Sequence, residues 1–122
     1  MVAKISDQNV TVVTGTRYPP PYDAPCLQRQ RTRLGDAAGL TQFGVNRLNL
    51  PPGCWSSQRH WHGAEDECVY VLSGEVAVLE VGSRRPGEDA VEYPDIDLQI
   101  PKGQGAYAHR DGRLYDAAPP RR

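Results

Sequence analysis

Alternation is the only sustained apolar pattern in this chain, and it confines the fold to strands. Val69 and Val71, and later Ile96, Leu98 and Ile100, recur at every second position, while no stretch carries the three-to-four-residue apolar period of an amphipathic helix. The 12 glycines and 11 prolines supply the turns that short strands need. With 122 residues, 39% of them hydrophobic and only six Tyr, two Trp and one Phe, the chain can build one modest core and not two. An all-β, antiparallel single domain is the expectation.

Along the chain, residues 1–25 are expected to form an N-terminal arm, with a short strand over Val10 to Val13. Each proline of Tyr18-Pro19-Pro20-Pro21-Tyr22 lacks a backbone donor and biases its predecessor away from helix, so the arm reads as extended, either lying across a neighbouring subunit or flexible. Residues 26–115 are expected to be the β domain. Arg29, Arg31 and Arg33 alternate with polar residues and predict a strand with one basic face, expected to be a solvated edge that discourages pairing rather than a phosphate seat. Thr41 to Leu50 follows, with apolar residues on both parities, which predicts a bulge near Arg47. Glu67 to Ser73 and Glu75 to Val81 form the clearest hairpin, and 116–122 reads as a disordered tail.

One segment reads as chemistry. In Arg59-His60-Trp61-His62-Gly63-Ala64-Glu65-Asp66-Glu67, strand alternation points His60 and His62 the same way and Trp61 the other. A turn over Gly63 to Asp66 would return the chain antiparallel, with Glu67 facing the two imidazoles. Two imidazoles and a carboxylate suit a divalent ion such as zinc, iron, nickel, copper or manganese. Read without chemistry, the same residues are half-exposed strand positions and one surface acid among several. The strand and Gly74 that follow favour the metal site. Ser56 and Gln58 share parity with the histidines, and Val69 and Val71 share parity with Glu67, so these four are expected to line the same pocket.

Other features narrow the field. A formal net charge of -1 makes no electrostatic case for nucleic acid or an anionic membrane. No apolar run approaches spanning length and Met1-Val2-Ala3-Lys4 lacks a signal-peptide core, so a cytoplasmic location is expected. Cys26, Cys54 and Cys68 are odd in number and lack the close pairing of a zinc ribbon or redox motif, and in a reducing compartment are expected to be small buried or half-buried residues.

Gly53, His60-x-His62, Glu67 and Gly74 together resemble the first motif of the cupins, small antiparallel β-barrels of jelly-roll type. The words around it, such as Leu40-Thr41-Gln42-Phe43-Gly44 and Trp55-Ser56-Ser57-Gln58-Arg59, are similar to a group of bacterial single-domain cupins. The second cupin motif, whose histidine is normally the fourth ligand, has no clean copy here: Pro101-Lys102-Gly103 is present, but Ala106 stands where the histidine belongs and His109 comes three residues later. The resemblance therefore implies missing strands, with a break near Ala77 to Leu79, and an incomplete barrel. It further implies a divalent-metal-binding protein with His60, His62, Glu67 and a candidate fourth ligand in His109. Its activity would be that of a small-molecule metalloenzyme of oxygenase or isomerase type, with a non-enzymatic ligand-binding module or a weakly metal-binding relic as alternatives. A homodimer covering the open strand edges is expected, with a small-molecule ligand as the other partner.

Overall fold

The protein, described here from a computed structural model, is placed at residues 4–6, 8, 10–74, 77–85 and 87–116. The expected tail lies outside these described residues from 117 onward, as do residues 1–3 of the arm and Glu75 and Val76 of the hairpin.

Among the described residues, eight strands form two antiparallel sheets. They are β1 (Val12–Thr14), β2 (Gln30–Arg33), β3 (Phe43–Asn49), β4 (Trp61–His62), β5 (Glu67–Ser73), β6 (Ala77–Ser83), β7 (Val91–Tyr93) and β8 (Leu98–Ile100). The larger sheet has the order β1-β2-β3-β6-β5 and the smaller the order β4-β7-β8. Among the described residues the two are not joined by strand pairing, so the barrel stays open, as the degenerate second motif implies. The only α-helical segment among the described residues is the single turn α1 (Leu34–Ala37).

Burial concentrates on the smaller sheet. Tyr18, Cys26, Val91, Tyr93 and Leu98 form one buried cluster, with Tyr22, Ile96, Ile100, Tyr107 and Tyr115 packed around it. Tyr18 meets Tyr93 edge-on at 5.5 Å between ring centres, a geometry that adds about 0.5–1.5 kcal/mol to what area burial contributes. Burial pushes the Tyr18 hydroxyl pKa up to about 12.

The expected extended arm is therefore different in the structure. Residues 18–26 run through turns and a 3-10 segment at Ala24–Cys26, and they bury Tyr18 and Cys26 in the chain's own core. The prolines suit turns as well as extension, and the aromatic residues flanking them supply the apolar surface that folds the segment inward.

Two further expectations change for related reasons. The basic strand β2 is interior, paired with β1 on one side and β3 on the other. Arg29 is 7% exposed, its Nε donating to the Gly15 carbonyl at 3.3 Å and its Nη1 to the Ser56 carbonyl. No bulge occurs at Arg47, because β3 stays in register with β6 from Phe43 to Asn49. Both of its faces are occupied: α1 packs over Val45, where a side chain on Gly35 would come within 2.9 Å of the Val45 nitrogen, while Leu48 on the opposite parity is buried. The irregularity lies in β5 instead, between Val71 and Ser73.

Candidate metal centre

The loop before β4 is tied down from the core. Gly53, at a φ of +78° that disfavours other residues, closes the turn in which Cys54 N–H donates to the Pro51 carbonyl at 2.9 Å. Buried Gln58 anchors the following stretch: its Nε2 donates to the Tyr22 carbonyl at 2.8 Å and its backbone N–H donates to the Tyr18 hydroxyl at 3.3 Å. His60 follows in irregular chain and His62 in β4, which pairs with β7 rather than with β5. Residues 63–66 thus carry the chain across from one sheet to the other, instead of closing a hairpin.

The two imidazoles are oriented by fixed partners. His60 Nδ1 lies 2.7 Å from the Gln58 carbonyl, and His62 Nδ1 lies 2.7 Å from Asp89 Oδ2. A carbonyl and a carboxylate can only accept, so each Nδ1 carries the proton and each neutral ring turns a lone pair outward at Nε2. Both lone pairs face Glu67: His62 Nε2 is 3.3 Å and His60 Nε2 3.8 Å from Glu67 Oε2. Two donors on one ion with bonds of about 2.1 Å stand about 3.0–3.8 Å apart for ordinary bond angles, so the separations fit a shared cation.

Three acceptors facing one another require a positive charge among them. In its absence a proton takes the place: the Glu67 carboxylate, 3.8 Å away, raises the His60 pKa against the opposing effect of burial, and the facing His60 ring lowers that of Glu67. Burial would raise the Asp89 pKa, but hydrogen bonds from His62 and from the Ala64 N–H outweigh it and keep the carboxylate low. Gly82 leaves room for Glu67, since a Cβ there would stand 3.3 Å from the Asp66 carbonyl and 3.8 Å from Glu67 Cγ.

Ligand-type atoms of His60, His62 and Glu67 all lie within 4.8 Å of one another. A second such group, His62 with Glu65 and Asp89, shares one histidine with the first. There His62 Nδ1 is already engaged by Asp89, and Glu65 Oε1 accepts the Arg85 N–H at 2.8 Å, so this group braces the turn. His60, His62, Glu65 and Glu67 border a cleft of about 590 Å³.

Other candidates sit elsewhere. His109 bonds Asp97 through Nδ1 at 2.7 Å, stacks on Tyr115 with ring centres 3.7 Å apart, and belongs to neither group. Ser56 is exposed, Ser57 lines the cleft in its place, and Gln58 serves as an anchor instead of a cleft wall. Val69 and Val71 keep the parity of Glu67 but are 59% and 58% exposed on the edge strand β5. Asp89, Glu80 and Tyr93, whose ring lies 5.3 Å from that of His60, went unread in the sequence. Asp89 lies 27 residues from His62, in a loop with no pattern of its own.

Residues 46–91 match the family model of the cupin domain. A solved sugar phosphate isomerase of the cupin superfamily from Silicibacter pomeroyi is similar to the chain with a TM-score of 0.78 and 28% identity, over 94% of this chain and 98% of that one. A candidate sugar phosphate isomerase from Acidithiobacillus ferrooxidans is similar with a TM-score of 0.59 and 25% identity, over 66% of this chain and 74% of the other. No curated protein matches. Residues 46–91 are thus a cupin domain, in a chain that shares the fold of these structures.

Proposed function

We propose that this cupin domain is a metal-dependent isomerase of a small phosphorylated sugar. The observation that carries the reading is the pair of imidazoles, each fixed through Nδ1 so that its Nε2 lone pair meets Glu67 at the edge of a cleft. The substrate class comes from the names of the two similar structures. His60, His62 and Glu67 would hold the ion, and the mixed nitrogen and oxygen set suits zinc, iron, nickel or manganese. A divalent ion held there would supply a Lewis acid for the sugar carbonyl and for the negative charge that develops on its oxygen.

The protein's own groups do the rest. Aldose–ketose isomerisation moves one proton from C2 to C1 and one from the C2 hydroxyl to the C1 oxygen, with no net gain or loss of atoms or electrons. Glu80 borders the cleft outside the ligand set and serves as the carrier of the carbon-bound proton. Asn46 Nδ2 at 3.3 Å and Arg31 at 3.3 Å hold that carboxylate in place. Ser57 and Tyr107 line the cleft and supply hydroxyls to orient the sugar.

Assembly is part of the reading. A second copy pairs along β5, where Val69, Tyr70, Val71 and Leu72 are each between 49% and 68% exposed at the free edge of the larger sheet.

A coupled assay over a panel of pentose and hexose phosphates tests the activity. The expected outcome is turnover of at least one aldose–ketose pair that chelator abolishes and Glu80→Gln lowers by about 10²–10⁴-fold with metal content unchanged. Metal-loaded protein inert toward the whole panel while still binding a sugar phosphate would replace this reading with a non-catalytic binding module, which the placement of His109 away from the ligands favours.

A further inference from the structure

The cleft has two chemically opposite walls. One is the His60, His62 and Glu67 cluster. The other comes from β2, where Arg31 and Arg33 share a face with Glu80 and Glu67 through the register of β2, β3, β6 and β5, and Arg29 and Arg17 border the same cleft. Three strand spacings separate β2 from β5, about 14 Å between backbones, and arginine side chains reach into that gap.

The charges on the basic wall are incompletely matched. Arg33 is paired with Asp36 at 2.6 Å. Arg31 has Glu80 at 3.3 Å, and Glu80 stands between the two walls. Arg29, which is buried, gives its Nε and Nη1 to neutral carbonyls. Burial and the adjacent Arg31 charge both lower its pKa. Arg31 Nε is buried with no acceptor, and the other such atom among the described residues, Arg47 Nε, lies on the opposite face of the sheet. Two neighbouring guanidiniums with one carboxylate and an unused buried donor form an ion cluster that lacks a multiply charged anion.

We infer that Arg31 and Arg29, with Arg17 at the rim, seat the phosphoryl group of the ligand at the end of the cleft opposite His60 and His62. Guanidinium forks match the oxygens of a phosphate dianion in pairs, and Arg31 Nε supplies the donor that completes one fork. The sugar then spans from β2 to the His and Glu wall. The identity of the sugar rests on the isomerase reading; the phosphate seat rests on the arginines.

The test is a titration of inorganic phosphate into the full chain, followed in nitrogen–proton spectra of the arginine Nε groups. A saturable shift of the Arg31 Nε resonance is expected. Affinity should fall about tenfold or more in Arg31→Gln, and stay within about twofold in the His60→Ala, His62→Ala double variant, where no metal can hold the anion. Should Arg31→Gln fail to fold by circular dichroism, Arg31→Lys, which keeps the charge but loses the fork, is expected to bind several-fold more weakly than wild type. No saturable shift in wild type, equal affinity in the folded Arg31 variant, or loss of binding in the double His variant overturns the inference. Phosphate binding in protein without isomerase turnover would leave this site standing and remove the isomerase.

Discussion

The two sheets deliver the candidate ligands on very different terms. His60 and His62 belong to the side that holds the buried tyrosines and Leu98, where each ring is pinned by a second group. Glu67 begins β5, an edge strand in which every residue is exposed. The contrast teaches that an open cupin barrel can keep its imidazole pair preorganised without strand closure, because the core sits behind the histidines and not behind the carboxylate. It also puts the exposed apolar residues Val69 to Leu72 on the same edge strand as Glu67.

The contrast can be broken first from the buried side. Leu98→Ala removes a side chain that is 1% exposed and should cost about 2–5 kcal/mol in denaturant unfolding. An equal cost from Val71→Ala, whose side chain is largely exposed, would show that β5 carries as much of the core as β8 does. Next in size is the brace on His62. Asp89→Asn keeps the shape but weakens the partner that holds Nδ1–H, and metal affinity should drop about 10–100-fold with folding retained. Unchanged affinity by competition with a chelating dye would mean that His62 is not oriented from behind. The smallest effect on stability is expected at the edge: Val69→Lys with Val71→Lys should change unfolding free energy by less than about 0.5 kcal/mol per site, yet convert a dimer to monomer in light scattering. Dimers that survive the double substitution would move the interface elsewhere.

Much of the site was legible because it is local. The alternation of His60 and His62 and the parity of Glu67 depend only on strand geometry within eight residues. Alternation also grouped Arg29, Arg31 and Arg33 on one face, and Val69 and Val71 with Glu67. It could not say what covers a face. The arginines were expected in solvent and border the cleft, while the valines were expected in the pocket and face solvent, because the sheet that closes over Glu67 is only three short strands long. The pairing of β4 with β7, thirty residues downstream, and the brace from Asp89 are non-local and left no periodic trace. The open barrel was legible for the opposite reason: a missing motif is visible as a missing motif.

Elemental analysis of the full chain purified without added metal, beside the His60→Ala, His62→Ala double variant, tests the central claim most directly. The account predicts stoichiometric divalent metal in the wild type and none in a double variant whose circular dichroism is unchanged. Metal retained by the folded double variant, or a wild type that stays metal-free after loading and dialysis, would contradict it.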